Sequence, residues 1–412
     1  MNALPTYDDA LKTVLAGAQG LGVERVALGQ ATGRVLREAV AADRDQPPFE
    51  RAAMDGFAVV SGAWKAGGVW EIAGTVPAGG AWEGAVDPAS QVLGIATGAA
   101  VPAPFDAVVQ VELAQVNHAA GTVQFDLDKV AAWRNVHRRG ADAAAGDKVL
   151  PVGLRLGPQH LALAATFGQT TLAVTQRPKV VVLSSGDEVV DPATSTQALG
   201  PQQIRNSNGP LLSSLLTTLG AELLEHRHVA DTPDAVREAC QDAAARADWV
   251  VTAGGVSVGE RDLFPGTWKA MGFDTVLHGV AMQPGKPVLA VRGNQDGRTV
   301  HVLGLPGNPV SVLATAHLFA WPLLRALEAD PAPLPWRSVR LAQAAKANPK
   351  RTAFRPAKLM GDGLDQAMVL SWRGSGDLAH TAAAEGLLAL PPMAGEWAAG
   401  QSLRFLPFAK GF

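Results

Sequence analysis

The chain has 412 residues, of which 47% are hydrophobic and 18% are charged, and its formal net charge is −3. A chain of this length exceeds one typical hydrophobic core, so two to four domains are expected. The small net charge, without a basic or acidic run, argues against nucleic acid or a membrane surface as the main partner.

The N-terminal sequence carries acidic residues where a secretory signal would carry lysine and arginine before an apolar run. No stretch of about 18 consecutive apolar residues occurs, so a membrane-spanning helix is not expected. Cys240 is the single cysteine, which excludes an internal disulfide and a cysteine-based zinc cluster. These features predict a cytoplasmic protein.

The first predicted elements are a helix and then a long β-rich region. Residues 5 to 20 carry apolar side chains at helical spacing, which predicts a short amphipathic helix. From about residue 24 to residue 175, short β-type runs such as VWEIAGTV and QVLGIATG are separated by Gly, Pro and Asp. This pattern predicts one or two small β-rich domains.

Beyond Arg177 the pattern becomes an alternation of strands and helices. KVVVLSS, AELLEHRHVA and DWVVTAG are predicted strands. Between them lie a predicted helix closed by Gly220 and a second helix with Thr232 as N-cap and Pro233 at the first position. TVHVLGLPGN and the long helix starting at PVSVLATAHLF follow. Apolar strands alternating with helices predict a parallel sheet covered on both faces.

The C-terminal part is predicted to be a separate β domain. Residues 330 to 336, DPAPLPW, are proline-rich and lack periodicity, so they are interpreted as a linker. The short runs SVRLAQA, FRPAKLM, AMVLSW and GLLALPP beyond the linker predict a small barrel or sandwich.

Three loops fall at the carboxyl ends of the predicted parallel strands, where ligands bind in open α/β sheets. They are SSGDE (184 to 188), AGGVSVGERD (253 to 262) and LPGNPVS (305 to 311). Glycines 254, 255 and 259 would let backbone N–H groups approach an anion. A glycine-rich turn after a core strand is the alternative, because neither phosphate-loop nor dinucleotide fingerprints are present.

Two carboxylates accompany these loops. Glu188 and Asp262 would repel a phosphate unless a cation lay between them, and oxygen ligands completed by phosphate are usual for Mg²⁺. The alternative is that each acid, or Asp187 in place of Glu188, caps a helix. The sequence at this point leaves both alternatives open.

Two turns, QPGKP and the LPGNPVS loop, are candidate anion sites. Lys286 lies between Gly285 and Pro287 on a rigid turn, where it could offer a point charge to an oxyanion; a solvated turn lysine is the alternative. The turn before Pro309 could bind an anion with free backbone donors, with Asn308 as a simple N-cap being compatible. The histidines form no pair at metal spacing, and no G-x-S-x-G elbow occurs.

Eight segments occur together in order: PPFERAAMDGFAV, ATGAAVPAPFDAVVQVE, NVHRRGADAAAGD, VVVLSSGDEVV, NSNGPLLSSLLTTLGAE, DWVVTAGGVSVGERD, QPGKP and GLPGNPVS. In these segments the sequence resembles the molybdopterin molybdenumtransferase family, which comprises bacterial MoeA and the E domains of plant proteins and gephyrin. The resemblance covers about residues 5 to 325, with a weaker echo in GSGDL and GLLALPP.

The resemblance implies a multidomain α/β plus β fold. It would contain a discontinuous N-terminal domain (1 to 45 and 140 to 176), an inserted β-rich domain (46 to 139), a MogA-like α/β domain with a parallel-rich sheet (177 to 329) and a C-terminal β domain (330 to 412). The family is homodimeric, and its clefts take residues such as Asp55 and Asp142 from the neighbouring subunit. The implied reaction uses adenylylated molybdopterin and molybdate with Mg²⁺ and releases AMP. The substrate donor would be a molybdopterin adenylyltransferase.

The resemblance also assigns site residues. The implied catalytic set is Asp55, Thr97, Asp142, Glu188, Asp231, Asp262 and Lys286, with Glu188 and Asp262 as metal ligands. The expected cofactor-binding set is Ser185, Gly186, Gly254, Gly255, Ser257, Gly259, Pro306, Gly307, Asn308, Pro309 and Ser375.

The chain departs from the family at two lysine positions. Some members have KPGKP with a further lysine four residues upstream, where this chain has Gln283 and Gly279. Lys286 remains, and backbone donors, Arg261 or a histidine are candidates for the rest of the oxyanion site. Two other functions remain as alternatives. One is a noncatalytic molybdopterin-binding or scaffold protein, which would not need all five acids of the implied catalytic set. The other is an unrelated Mg²⁺-dependent nucleotide phosphohydrolase.

Overall fold

The structure is a computed structural model that describes residues 3–256, 263–330 and 332–409. The α-helices within these residues are α1 (Tyr7–Leu15), α2 (Pro158–Thr166), α3 (Asn208–Thr218), α4 (Pro233–Arg246), α5 (Leu263–Ala270), α6 (Pro309–Thr315), α7 (Trp321–Leu327) and α8 (Leu378–Thr381). A π-helical turn, Ala316–Ala320, joins α6 to α7.

The strands are β1 (Val23–Ala27), β2 (Val40–Ala41), β3 (Arg51–Ala52), β4 (Gly56–Val59), β5 (Val69–Val76), β6 (Gln91–Ile95), β7 (Ala107–Gln110), β8 (Ala114–Asn117), β9 (Thr122–Phe125), β10 (Val136–His137), β11 (Lys148–Leu150), β12 (Thr171–Thr175), β13 (Lys179–Ser185), β14 (Val189–Val190), β15 (Ile204–Arg205), β16 (Glu222–Val229), β17 (Trp249–Ala253), β18 (Asp274–His278), β19 (Met282–Gln283), β20 (Leu289–Gln295), β21 (Arg298–Leu305), β22 (Arg337–Leu341), β23 (Ala345–Lys346), β24 (Thr352–Met360), β25 (Gln366–Val369), β26 (Gly386–Leu390), β27 (Glu396–Trp397) and β28 (Ser402–Pro407).

The described residues form two compact units. The first unit comprises Met1–Arg37, Gly153–Gly157 and Leu172–Phe412, and the second comprises Glu38–Val152 and Pro158–Thr171. The first unit contains the α/β sheet, the C-terminal β domain and a two-stranded sheet of β1 and β12, whereas the second contains most of the β-rich region that the sequence predicts before residue 175.

The first unit contains a six-stranded sheet in the order β16-β13-β17-β21-β20-β18. The first four strands are parallel, as the sequence predicts, whereas β20 and β18 continue the sheet antiparallel. An antiparallel continuation is possible because the short turn between β20 and β21 needs no crossover helix. The predicted parallel-rich sheet is therefore confirmed, with an antiparallel edge that the sequence analysis did not predict.

Helices cover both faces of this sheet, which explains its continuous apolar strands. One core cluster joins the sheet to α1, α3 and α6, and a second cluster joins the opposite face to α4 and α5. The predicted start of α4 is confirmed, since Thr232 Oγ1 accepts a hydrogen bond from the backbone N–H of Ala235 at 3.4 Å. Packing of the helices on both faces holds the strands in place. The loops that follow the parallel strands therefore lie close together at one edge of the sheet.

The helical segment Pro309–Leu327 is long and apolar enough to cross a membrane by length and composition alone. However, 78% of its most apolar window is buried inside the protein. Its side chains form part of the core cluster beneath the sheet. This segment is therefore a core helix of the first unit.

The C-terminal β domain is a closed barrel. Strands β24, β25, β22, β28 and β26 pair in that order, and β24 also pairs with β26 to complete the ring. Closure removes unpaired sheet edges. β19, which precedes the linker in the chain, adds to this sheet by pairing in parallel with the start of β24. The predicted barrel or sandwich is thus confirmed as a barrel.

The second unit is built on a six-stranded sheet in the order β7-β4-β6-β5-β9-β8. Its strands alternate between two apolar clusters, one containing Leu93 and Phe105 and the other containing Trp70 and Phe125. The β-rich prediction is confirmed here, although it missed α2. That helix has a weak amphipathic pattern and buries only Ala164 fully, so its sequence gives little helical signal.

Candidate functional site

A cleft of about 750 Å³ lies at the carboxyl ends of β13, β17 and β21, where the sequence predicts a binding site. We call it the strand-end cleft. The structure brings together here ten of the predicted residues, which are Ser185, Gly186, Glu188, Asp231, Gly254, Gly255, Pro306, Gly307, Asn308 and Pro309. Ser257, Gly259 and Asp262 lie outside the described residues.

The glycine loop after β17 runs close to the backbone of β13. Gly254 has φ +89° and Gly255 has φ +63°, which are left-handed conformations that glycine adopts without strain. A Cβ atom at residue 254 would lie 2.9 Å from the carbonyl oxygen of Ser185. Glycine at this position therefore permits both the turn and the close approach of the two loops.

The carboxylates of this cleft come from two different loops. Glu188 is exposed and follows β13, and Asp231 is partly exposed and follows β16. The helix-cap alternative for Asp187 or Glu188 is wrong, because the chain continues from this turn into β14 and not into a helix. Instead, Asp187 Oδ1 accepts a hydrogen bond at 3.3 Å from the backbone N–H of Asp231.

The carboxylates of this cleft have the chemistry of Mg²⁺ ligands. Within the described residues, no group of three or more His, Cys, Asp or Glu side chains forms a metal-binding cluster. Mg²⁺ commonly takes only one or two carboxylates and completes its shell with phosphate oxygens and water. Glu188 and Asp231, both open to the strand-end cleft, fit that mode of binding.

A buried polar network supports one wall of the strand-end cleft. The amide of Asn206 donates a hydrogen bond to Ser184 Oγ at 2.9 Å, and its oxygen accepts one at 2.9 Å from the backbone N–H of Gly209 in α3. Ser184 Oγ also lies 3.1 Å from His226 Nε2 and 3.1 Å from His228 Nδ1. Burial, with the neighbouring His228, lowers the pKa of His226.

Because Ser184 has one hydroxyl proton, it can donate to only one of the two imidazoles, so the other must donate to it. The network therefore fixes complementary hydrogen-bonding roles for His226 and His228. Ser184, Asn206 and the two histidines are not among the predicted site residues. The polar NSN segment directly before an apolar helix is a sequence signal for Asn206.

A second cavity of about 500 Å³ adjoins the strand-end cleft, and both include Pro287, Pro306 and Asn308 in their walls. We call it the basic cavity. Among the described residues, its walls contain the predicted residues Lys286 and Ser375, together with Arg351 and Arg355, and no carboxylate. A concave site lined by three cations is suited to an anion.

Asn308 and Ser375 connect the barrel to the start of α6. Asn308 occupies the predicted N-cap position, but its side chain makes no cap hydrogen bond. Its Nδ2 donates instead to Ser375 Oγ at 2.9 Å, and the backbone N–H of Val310 donates to the carbonyl of Ser375 at 2.9 Å. The predicted helix start, with Asn308 at the N-cap position and Pro309 at the first helical position, is therefore confirmed, but the side chain of Asn308 contacts the barrel and does not cap the helix.

Sequence reasoning missed Arg351, Arg355 and Trp372 as residues of the basic cavity. Arg355 lies on β24, and its guanidinium carbon is 5.0 Å from the ring centre of Trp372. Burial lowers the pKa of Arg355. The available signal was Arg355 in the predicted barrel run FRPAKLM, with Arg351 just before it, but these positions alone do not show which cavity the two residues line.

The remaining predicted residues belong to the second unit. Asp55 precedes β4 and Thr97 follows β6, and since these strands are antiparallel the two residues meet. Asp55 Oδ1 accepts a hydrogen bond from the backbone N–H of Thr97 at 2.7 Å. Asp142 is separate from this pair, and its Oδ1 lies 3.6 Å from His137 Nε2.

Comparison with known families matches most of the chain. Residues 5–168 match the model described as "MoeA N-terminal region (domain I and II)", residues 181–326 match "Probable molybdopterin binding domain", and residues 338–408 match "MoeA C-terminal region (domain IV)".

Curated relatives named molybdopterin molybdenumtransferase include a protein of Synechococcus elongatus that is 34% identical over 78% of this chain and 80% of its own. Another, from Bacillus subtilis, is 31% identical over 77% of this chain and 74% of its own. A crystal structure titled as a molybdopterin biosynthesis MoeA protein from Pyrococcus horikoshii has a TM-score of 0.80 and 28% identity, with 100% of both chains covered. The sequence-based resemblance and the predicted fold class are thereby confirmed.

Proposed function

The chain belongs to the MoeA family of molybdopterin molybdenumtransferases, and we propose from this membership that it inserts molybdenum from molybdate into adenylylated molybdopterin and releases AMP. One observation carries the proposal for this chain. The acidic, glycine-lined strand-end cleft opens beside a cavity lined by Lys286, Arg351 and Arg355. The pair of sites suits a substrate with a phosphate linkage and a second, smaller oxyanion.

In this proposal the strand-end cleft holds the phosphate linkage. Backbone N–H groups of the loop at Gly254 and Gly255 bind its oxygens, as they do in other glycine-rich anion sites. Glu188 and Asp231, with Asp262, hold Mg²⁺. When bound, Mg²⁺ supplies positive charge that offsets the phosphate oxygens and stabilises charge developing on the leaving AMP.

The basic cavity binds molybdate in this proposal. Lys286 supplies a point charge, Arg351 supplies a planar guanidinium, and Ser375 is held at the boundary of the two sites by Asn308. The oxyanion therefore lies next to the bound pterin and not in bulk water. Proximity of this kind lowers the entropic cost of bringing two substrates together.

We extend the proposal to the predictions that concern the second unit and the assembly. Asp55, Thr97 and Asp142 act in the reaction, and the enzyme is a homodimer in the cytoplasm that receives its substrate from a molybdopterin adenylyltransferase. The domain division predicted from the sequence, with segments 1 to 45 plus 140 to 176, 46 to 139, 177 to 329 and 330 to 412, is part of the same proposal.

The test is AMP release from adenylylated molybdopterin by the purified protein, with and without molybdate and Mg²⁺. Glu188→Gln removes one negative charge from the strand-end cleft and leaves the backbone bonds of the turn in place, so we expect folding to persist and AMP release to be lost. Glu238→Gln, on the exposed face of α4, is the matched control and should remain active.

Release that requires both ions and is lost only in Glu188→Gln would support the transferase. Tight binding of the adenylate without release would contradict it and indicate a scaffold or carrier protein. Rapid hydrolysis of free ATP, independent of the pterin, would indicate an unrelated phosphohydrolase.

A further inference from the structure

The start of α3 connects two of the loops that form the strand-end cleft. Residues 206 to 208 line the cleft. Asn206 donates a hydrogen bond to Ser184 near the end of β13, and Asn208 Nδ2 donates to the carbonyl of Gly307 after β21 at 2.7 Å. A displacement of this part of α3 would therefore move the loops after β13 and β21 relative to each other.

His226 lies directly against the first turn of α3. A Cβ atom added at Gly209 would lie 2.0 Å from Cε1 of this imidazole, so the ring occupies the space that a side chain on the helix would need. His228, two residues further along β16, lies on the same face of the strand. His226 is half-buried and His228 is exposed. One imidazole therefore supports the helix start directly, and the other joins the same network from the solvent side.

The hydrogen bonds of Ser184 limit the protonation states that the network can hold. Ser184 Oγ accepts from Asn206, which leaves one lone pair and one proton for the two imidazoles. His226 presents Nε2 and His228 presents Nδ1, so only one of these two nitrogens can carry a proton. Two neutral imidazoles must therefore carry their protons at the same ring position, both on Nε2 or both on Nδ1.

The network can hold one cationic imidazole but not two. A cationic His228 donates to Ser184, and a neutral His226 then accepts from it. If both are cations, three donors surround two lone pairs and the hydroxyl proton has no acceptor among them. Burial and the neighbouring His228 lower the pKa of His226, against smaller opposing effects of Asp191 and Glu225. The intact network therefore persists below the pH at which an ordinary histidine becomes charged.

We propose that His226 and His228 are positioning residues for AMP release, which hold the start of α3 in place through Ser184 and Asn206. This inference rests on the proposed function of the strand-end cleft. Neither histidine is among the described residues that line the cleft, so both act through the helix and not on the substrate. When both imidazoles are charged, the start of α3 shifts and kcat/KM for AMP release falls.

The first measurement is kcat/KM for AMP release between about pH 5 and 8, the range in which histidines titrate. Wild-type kcat/KM should fall about tenfold at the acid end, the effect of displacing binding groups by a fraction of an ångström. His226→Gln places an uncharged amide near the position of Nε2 and should flatten this decline. His228→Asn offers an amide near the position of Nδ1 and should do the same.

Two further variants separate positioning from a general effect. His226→Leu removes the hydrogen bond to Ser184 and should lower kcat/KM roughly tenfold at every pH in this range. His118→Gln is the matched control, because His118 is exposed in the second unit, in the turn between β8 and β9. It should keep the wild-type activity and the wild-type pH profile.

The second measurement needs no enzymatic activity. Nitrogen-15 NMR of the full-length protein labelled at histidine reports which ring nitrogen carries the proton, and the signals that vanish in His226→Gln and His228→Asn identify the two residues. At about pH 8, where histidines are neutral, both should be protonated at the same ring position. Protons at opposite ring positions would overturn the network.

The outcomes distinguish this inference from the proposed function. If active wild-type protein and folded His226→Gln had the same pH profile, the positioning role would be overturned and the transferase would stand. A wild-type protein that releases no AMP would overturn the proposed function, and the role of the histidines in it, whatever the NMR signals show. Urea unfolding establishes whether each variant is folded, and His228→Asn gives the second measurement if His226→Gln is not.

Discussion

Replacing Gly254 by alanine should impair AMP release more than it impairs folding. The new Cβ atom would lie 2.9 Å from the carbonyl oxygen of Ser185, which is closer than such atoms approach, so one of the two loops must move by several tenths of an ångström. The left-handed φ of +89° adds strain of about 1–2 kcal/mol for a residue with a side chain. Both effects act on the loop that forms the strand-end cleft.

Gly297 provides a matched control for the strain alone. It has φ +81° in the turn between β20 and β21, and a Cβ atom added there would meet nothing within 4 Å. Gly297→Ala should therefore lose about 1 kcal/mol of stability without any change in activity. The difference between the two alanine variants isolates the effect of displacing the loop.

The assay is kcat/KM for AMP release, measured at saturating molybdate and Mg²⁺, with urea unfolding as the parallel measure of stability. Misplacing a catalytic group by about 1 Å can cost on the order of 100-fold in rate. A shift of a few tenths of an ångström should then lower kcat/KM roughly tenfold in Gly254→Ala. If Gly254→Ala were as active as Gly297→Ala, close packing of the two loops would not be needed for the reaction.

Two further predictions concern stability. Asn206→Ala removes two buried hydrogen bonds, one to Ser184 Oγ and one from the Gly209 N–H. In urea unfolding, this substitution should destabilise the first unit by about 2–4 kcal/mol. A loss below about 1 kcal/mol would contradict this expectation. Burial lowers the pKa of His317 to about 4 in the folded protein. As the pH falls, the unfolded chain therefore protonates this histidine at a higher pH than the folded protein does. The contribution of this residue to stability should fall by up to about 3 kcal/mol between about pH 6.5 and 4. His317→Phe should flatten that part of the urea-midpoint profile, whereas an unchanged profile would assign the acid sensitivity to other groups.

The sequence predicts the α/β part of the fold well because the local sequence patterns there agree with the packing of the strands and helices. KVVVLSS and DWVVTAG are apolar at most positions that the sheet buries, with Ser184 and Thr252 as polar exceptions, and Thr232 with Pro233 marks a helix start that the structure retains. Because the carboxyl ends of parallel strands lie at one edge of a sheet, the loops after these strands are expected to lie together. Glu188 could be selected as a site residue for this reason before any side-chain position was known.

The basic cavity could not be predicted in the same way, because its residues meet through tertiary contacts. Lys286 follows β19, whereas Arg351, Arg355 and Trp372 belong to a barrel that begins after a linker. Their sequence separation carries no information about which barrel face they occupy. The antiparallel edge of the main sheet escaped prediction for a different reason, since only Leu289, Ala290 and Val291 of β20 are buried and the rest of the strand is not continuously apolar.

Because β19 pairs with β24, the sheet of the barrel includes a segment of the chain that precedes the linker. A protein truncated at residue 329 would lose Arg351, Arg355 and Ser375, and it would also leave Met282 and Gln283 as an open strand edge beside Lys286. Such an edge can pair with other chains. The C-terminal barrel therefore forms a wall of the basic cavity and also covers the strand edge of β19, so a truncation would open both at once.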